Sequence, residues 1–527
     1  MDECLTQQIP VSLPVWRKYS KAPKIVGYSD ISSVTPILKM FLEKVPDSEG
    51  QLNSDDLFAR VVSFEDSSTC VIETVEKKQY NSYCKVSHLL DPIRSLQNYY
   101  SHEKKGERRR LNKLNNPANQ AYVDTLANYL CGQLRERNIS PHFCKFYGGF
   151  KAIAKTYRYN ISEEFESYRN YRDFWDRRRE GKFKLHFNGD ETIETPKSSL
   201  RSTAFSYSTE QSYSSDESHI SLEDESLIVE KLDDLQSVHS FQSGSSSSSA
   251  SDYSDESCES VQSVYAELSE YPVMLIFQER MEGVLDDLLE EDKEENWEKT
   301  WTVWTFQIIA ALCVAQGVLG FTHNDLHTNN IVWDKTDIEF LFYRSRDGTV
   351  WKIPTYGRIL RIIDFGRSIF RIKDKWFISD DYEEGGDAEG QYNFGKIYNP
   401  KRAEVNPNPS FDLCRYSVSI IEALYPEMPV ELLDGKVLSK EDKWIIQETE
   451  SPLWNLLWSW LIDNEGRNVL RDEDGTERFP DFDLYQHISK HVFDAKPQAQ
   501  LHKDIFNSYK IDGVQVGPSE TVYPLFC

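Results

Sequence analysis

The order of hydrophobic patterns along the chain predicts an α+β fold in two lobes. Three observations carry this. Short β-rich runs begin near residue 57, helical patterns dominate from about 411 to 510, and an acidic serine-rich stretch, 190–263, interrupts the β-rich part. Strands grouped first and helices grouped second is the layout of an α+β protein. The length of 527 residues suits it, since ~150 residues per domain leaves room for two lobes with insertions.

The elements follow in order. Residues 1–56 read as an N-terminal extension with Pro10, Pro14, Pro23, Pro36 and Pro46, and one short helix near Pro36–Lys44. LFARVVSF, CVIETVEK and YNSYCKVSHLL then read as consecutive antiparallel strands. EKKGERRRLNKLNN, 103–116, reads as a charged, solvated linker. In 118–137, Tyr122, Leu126, Tyr129, Leu130 and Leu134 recur at helical spacing, which predicts an amphipathic helix. NISPHFCKFYGGF reads as a turn and then a strand ending at Gly148-Gly149. This first β-rich part runs over 57–189 and closes on a basic aromatic run, YRNYRDFWDRRREGKFKLHF.

The stretch that follows is different in kind. Residues 202–260 hold thirteen acids against one base, Lys231, close to half of the net charge of −26. Such a segment buries too little apolar surface to offset chain entropy, so 190–263 is expected to be a long disordered insertion. It reads as a solvated spacer, a phosphoacceptor tail or a charge clamp on the basic run before it. Within 264–281, VMLIFQ suits a buried strand. A long apolar helix comes next, then HNDLHTNN, then the strand-like runs IVW, IEFLFY, TVWKI and ILRIIDFG. After Gly366 the chain reads as irregular to about 411, helical patterns then dominate to about 510, and 513–527 is a tail.

Composition excludes several classes. A chain with pI near 4.9 is a poor general binder of phosphate backbones, so no nucleic-acid partner is expected. An aromatic share of 13% excludes wholesale disorder. The nine cysteines are scattered with no CxxC, which excludes a zinc ribbon and fits a reducing compartment. MDECLTQQIP lacks the basic and apolar regions of a secretory leader. The 22 residues WTVWTFQIIAALCVAQGVLGFT carry no charge and are long enough for a bilayer. Their glutamines and threonines, and their run into a polar loop, favour a buried core helix, so no membrane span is expected. Oligomeric state is left open.

Two short sequences carry the chemistry. HNDLHTNN offers His323, Asp325 and, five residues on, Asn330; IIDFG offers Asp364 in a tight turn behind an apolar strand. Phosphoryl transfer from a nucleotide needs magnesium held against the phosphates and an acceptor hydroxyl in line. Magnesium takes hard oxygen ligands from one or two side chains, with phosphates and water completing the shell. Asp364 and Asn330 suit the metal, and Asp325 suits the acceptor proton. Each motif alone is weak; the two in this order are specific.

With these motifs the sequence resembles the eukaryotic-type protein kinase superfamily, over roughly 57–155 and 266–510. The resemblance implies a bilobal protein-kinase-like fold: 57–189 and 264–281 in a small β-rich lobe and hinge, 282–512 in a large helical lobe. It implies ATP and Mg²⁺ as cofactors and a protein substrate. By the same resemblance Asp325 is the catalytic aspartate, and Asn330 and Asp364 are the metal ligands. VMLIFQERMEGVLDDLL resembles the strand and hinge that hold adenine, with Gln278 at the gatekeeper place and backbone groups of Glu279 and Met281 facing the adenine edge. SFDLCRYSVSIIEAL resembles the central helix of the large lobe, with Asp412 bracing the catalytic loop. Lys85, fourteen residues after Val71, stands at the family's distance from loop valine to nucleotide-binding lysine. Lys77 and Lys78 are alternatives for that lysine. Asp124 is the matching partner acid on the next helix. HNDLHTNNIVW and IPTYGRILRIIDFGRS resemble the divergent serine/threonine kinases of large cytoplasmic DNA viruses, the iridovirus type above all. That resemblance implies a host-cell cytoplasmic or virion setting.

The departures from the family matter as well. Asp124 stands for the usual glutamate, and its shorter side chain predicts a weak or absent ion pair with Lys85. The phosphate-covering segment, FEDSSTCV, has no glycine, and Glu65 and Asp66 add negative charge where phosphates are expected. That keeps a pseudokinase scaffold as an alternative. His327 stands for a lysine, a feature shared with small-molecule kinases of the choline and aminoglycoside type, a second alternative. Asn324 stands for the arginine that binds an activation-loop phosphate, which predicts an enzyme independent of that phosphorylation. No Ala-Pro-Glu sequence follows; YNPKRAEVNPNPS takes its place.

Overall fold

Alternation along the strands builds the first part of the molecule. The structure, a computed structural model, describes residues 14–15, 23–44, 50–51, 58–101, 103–168, 170–188, 263–290, 295–372, 375–392, 407–440, 445–472, 475–513 and 516–526. The insertion expected over 190–263 lies outside the described residues except Ser263, as do most of 1–56 and the stretch 393–406. A seven-stranded antiparallel sheet contains β1 (Tyr28–Ser32), β2 (Phe58–Phe64), β3 (Thr69–Thr74), β4 (Gln79–His88), β5 (Phe146–Asn160), β6 (Phe183–Asn188) and β7 (Ser263–Glu279). Their spatial order is β1-β5-β7-β4-β3-β2, with β6 also paired to β7. Side chains of a strand point alternately to the two faces. On β7, Val273, Leu275 and Phe277 enter a core with Cys70, Ile72, Cys84 and Phe150. Met274 and Ile276, from the other face, join the core of the helical part.

That second core is built around two helices. After α1 (Pro36–Lys44) and α2 (Lys104–Leu114) comes α3 (Gln120–Glu136), begun by the Asn119 side chain accepting from Ala121 N at 3.2 Å. Next is α4 (Trp297–Leu319), the long apolar run, with 94% of its most apolar window buried inside the molecule. Gly320 ends it in the left-handed conformation, φ 55°. Then β8 (Gly283–Val284), β9 (Ile331–Lys335) and β12 (Arg358–Ile362) form a small antiparallel sheet. Between the last two, β10 (Phe340–Arg344) and β11 (Val350–Pro354) pair with each other. Helices α5 (Phe411–Leu424), α6 (Pro452–Trp460) and α7 (Asp483–His491) complete the frame. The tail docks rather than hanging free: Val522–Pro524 pairs in parallel with β10.

Three segments differ from the sequence reading. The charged run at 103–116 is not a loop but forms α2. Lys, Arg, Glu and Leu are good helix formers, yet charge on all sides leaves no apolar period to read. The strand expected to end at Gly148-Gly149 runs on to Asn160, and VMLIFQ is the end of a 17-residue strand. The basic aromatic run folds into a short helix, Arg172–Arg179, and β6, with Phe174, Trp175, Phe183 and Leu185 buried. The architecture is mixed α+β, an antiparallel sheet followed by helices, and is compatible with a kinase-like fold.

Candidate active site

The site is assembled where β4, α3, the loop before β9 and the turn after β12 meet. On β4 the face opposite Cys84 carries Tyr83 and Lys85, and the register sets Tyr83 across from Gln278 and Lys85 across from Ile276. Val71 on β3 pairs with Asn81, on that same face. Lys85 reaches two carboxylates at once. Its Nζ is 2.8 Å from Asp124 Oδ2 and 2.7 Å from Asp364 Oδ1, with the Lys85 side chain 17% exposed. Burial lowers the ammonium's pKa, but the two acids outweigh it and the pKa is raised. The alternatives lie elsewhere: Lys77 pairs with Glu73 and Lys78 with Glu76, and both are more than half exposed.

The weak or absent Lys85–Asp124 pair expected from the short side chain is therefore corrected. The helix stands close enough for aspartate to reach. A Cβ at Gly149 would lie 2.5 Å from Thr125 Cγ2, so only glycine on β5 lets α3 approach this near. Asp124 does more than hold Lys85. Its Oδ1 accepts from Phe365 N at 2.9 Å and from Asn128 Nδ2 at 2.8 Å. Burial raises its pKa against the pull of Lys85.

The loop after α4 is fixed by buried polar groups. Asp412 Oδ2 accepts from His323 N at 2.9 Å and its Oδ1 from Asn324 N at 2.8 Å. His323 Nδ1 accepts from Asp325 N at 3.3 Å, so its proton sits on Nε2, 2.8 Å from Ile363 O. Asn324 turns through φ 64°, and its amide bonds to Thr322 O and Arg367 O and accepts from Tyr392 OH. Asn330 Nδ2 donates to Asp325 O at 2.9 Å, which orients its Oδ1 away from the loop. Ile331 pairs with Ile362, and Ile363 N donates to Asn330 O, so Asn330 and Asp364 sit at adjacent strand ends. Asp364 adopts φ 61°, an uncommon conformation for a residue with a side chain. Burial pushes its carboxyl up, but Lys85 outweighs that and holds it low.

Asp325 is 5% exposed. Its Oδ1 accepts from Tyr485 OH at 2.8 Å, and Arg367 Nη1 lies 3.6 Å from its Oδ2. Burial pushes its pKa up, yet Arg367, His327, Arg415 and the Tyr485 hydroxyl bring it down to about 2. His327 is shifted the other way: burial depresses its pKa despite Asp325, leaving it neutral near pH 7.

The residues expected at the hinge are engaged through their backbones and tips. Gln278 O accepts from Ser82 Oγ at 2.9 Å, Glu279 N donates to Lys145 O, and Met281 Sδ lies 3.0 Å from Arg361 Nη1. The acids expected to repel phosphate are tied down instead. Glu65 pairs with Arg280 at 2.7 Å, and Asp66 Oδ1 accepts from Ser68 N and Thr69 N at 2.7 and 2.6 Å. Glu65 N and Asp66 N both donate to Thr69 O, and Ser68 O accepts from Cys84 N. The segment after Gly366 docks on the start of α3: Asp380 Oδ2 is 2.7 Å from Lys113 Nζ, and its Oδ1 accepts from Gln120 N.

Sequence reasoning missed Tyr485, Arg367, Arg415 and Tyr83. Arg415 had a signal, since it follows Asp412 by one helical turn. Tyr485 had none; its contact with Asp325 is made only by packing of α7 on α5. Two hard-oxygen side chains from the protein suit a magnesium that also binds phosphates, and no cluster of three or more His, Cys, Asp or Glu ligands occurs among the described residues.

No protein-family model matches the chain. Over 101 residues, 19% of the chain, it is 37% identical to the serine/threonine-protein kinase haspin of Mus musculus. Over 103 residues it is 36% identical to haspin of Bos taurus. Each match spans 13% of the relative's length. These partial similarities support a protein-kinase-like relationship for this chain.

Proposed function

We propose that the chain is a bilobal protein serine/threonine kinase that transfers the γ-phosphoryl of ATP to hydroxyls of a protein substrate. The observation that carries this reading is the Lys85 ammonium bonded at once to Asp124 and Asp364. A largely covered lysine held between two buried or nearly buried carboxylates is a costly arrangement that a phosphate site explains.

Bound magnesium–ATP supplies the activated phosphoryl group and a divalent charge. Lys85 neutralises the α- and β-phosphates, and Asp124 keeps it aimed. Asp364 and Asn330 hold the metal. Val71, Gln278 and the backbone of Glu279 and Met281 line the adenine. Asp325 orients the acceptor hydroxyl and receives its proton as the new P–O bond forms and the bond to the leaving diphosphate breaks. His327, neutral near pH 7, contributes a hydrogen bond rather than the full charge of a lysine.

The test is transfer of labelled phosphate to casein and protamine by the full chain with Mg²⁺, beside Asp325→Asn and Lys85→Ala. Magnesium-dependent labelling lost in both variants is the expected result. Labelling that survives both, or calorimetry without magnesium-dependent ATP binding, refutes the reading. One observation favours a second reading, a scaffold with weak catalysis: the amides of Glu65, Asp66, Ser68 and Thr69 are bonded within their own turn. That reading expects no transfer above the Asp325→Asn background.

A further inference from the structure

The Asp325 carboxylate is held by a chain of polar groups that starts on α5. Arg415 Nε donates to Tyr485 OH at 2.8 Å, and Tyr485 OH donates to Asp325 Oδ1 at 2.8 Å. The direction follows from the groups themselves. A guanidinium only donates, and a phenol has one proton. Once Tyr485 accepts from Arg415, its single O–H is left for the carboxylate. The Tyr485 ring is itself fixed, 3% exposed, stacked on Phe482 at 5.2 Å between centroids and packed against Phe411 at 5.8 Å. The other oxygen is held less tightly. Arg367 Nη1 lies 3.6 Å from Oδ2, beyond hydrogen-bond length.

Asp412 and Arg415 lie three residues apart, one helical turn, so a single face of α5 acts twice on the same loop. Asp412 fixes its backbone at His323 and Asn324, and Arg415 fixes its carboxylate through Tyr485. We infer that Tyr485 is a positioning residue: its hydroxyl, polarised by Arg415, pins Asp325 Oδ1 and leaves Oδ2 to face the acceptor hydroxyl. This rests on the reading of Asp325 given above. The opposite role for the same contact is a plug, in which Tyr485 occupies the acceptor's place and must leave before transfer.

Tyr485→Phe separates the two, because it removes the hydroxyl and keeps the ring. The full chain is assayed with ATP, Mg²⁺ and protamine, beside Arg415→Met and Asp325→Asn, with the melting temperature and its MgATP-induced shift measured for each. The expected result is a fall in kcat of about 10- to 100-fold for Tyr485→Phe, the size of effect that misplacing a reacting group produces. KM for ATP and for protamine stays within about threefold of wild type, because the change affects transfer rather than ground-state binding. The MgATP shift is retained. Arg415→Met gives a smaller kcat loss in the same pattern. A Tyr485→Phe kcat equal to or above wild type overturns the inference, the second outcome identifying a plug. A kcat loss accompanied by loss of the MgATP shift also overturns it, since the residue then serves the site's integrity. If Asp325→Asn itself leaves transfer intact, the reading of Asp325 fails and this inference with it. If Asp325→Asn abolishes transfer and Tyr485→Phe does not, only the inference fails.

Discussion

The turn at 65–68, expected to cover the phosphates, and the loop at 322–330, expected to carry the chemistry, are built on opposite principles. The turn is closed on itself. Asp66 accepts the amides of Ser68 and Thr69, Thr69 O accepts those of Glu65 and Asp66, and Arg280 neutralises Glu65. The loop is braced from behind. Asp412 holds its backbone, His323 ties it to the turn after β12, and Asn330 is aimed by the Asp325 carbonyl. One region satisfies its donors internally; the other is held in place by buried partners on neighbouring elements. On the proposed reading, nucleotide grip and phosphoryl chemistry are therefore separable. Weak binding by the turn is compatible with an intact chemical centre.

The sharpest way to break this comparison is Asp364→Asn. It removes the carboxylate that faces Lys85 and the proposed metal, so kcat for transfer falls by ~10³-fold, comparable to losing a main electrostatic group of an active site. A variant retaining a tenth of wild-type kcat in a steady-state assay contradicts the braced-loop half. Next is Asp124→Ala, which leaves Lys85 and Phe365 N without this partner in a buried setting. Removing one member of a buried pair costs about 3 kcal/mol, visible as a lower urea midpoint. A midpoint within error of wild type places the pair outside the stabilising contacts.

A third test concerns the segment that supports the loop. Asp381 accepts from Gln120 Nε2 at 2.6 Å, and burial, with Asp387 nearby, pushes its pKa up to about 8. Its unfolded value is near the ordinary aspartate value of ~3.9. The folded state therefore holds a proton that the unfolded state has lost between these values, and stability falls as pH rises from about 4 to 8. Asp381→Asn removes that slope and is more stable than wild type at pH 8 by on the order of 2 kcal/mol, with the gap closing toward pH 4. Parallel urea curves for the two proteins at pH 5 and pH 8 contradict it. The mildest test is Asp66→Ala, which releases the amides of Ser68 and Thr69. KM for ATP drops about threefold, a gain of roughly 0.7 kcal/mol for one or two new amide–phosphate bonds. An unchanged KM shows that the turn's closure is not what limits binding.

Much of this was legible in the chain. The alternation of YNSYCKVSHLL and the spacing of Tyr122, Leu126 and Leu130 mark β4 and α3, although α3 is not amphipathic as expected: it is buried on all sides from Ala121 to Leu134. Asp124 was singled out because its helix offers no other acid between Ala118 and Glu136. Asp325, Asn330 and Asp364 share a neighbourhood because short strands begin or end beside them. The rest was hidden for physical reasons. A helix charged all round, α2, has no apolar period. A strand that continues through two glycines reads as ended. The neutralisation of Glu65 depends on Arg280, 215 residues away, and the Tyr485 contact spans 160 residues. Such pairings arise from packing alone.

The close approach of Thr125 to Gly149 has a consequence for how the site tolerates change. The aspartate at 124 is one methylene shorter than a glutamate would be, and its reach to Lys85 goes with a helix drawn in against a strand residue that has no side chain. Gly149→Ala would set the helix outward and stretch the lysine contact without altering either charged partner. Lengthening the acid at 124 would then restore it. These two positions form one ruler, so neither is interchangeable alone, while a paired replacement preserves the span.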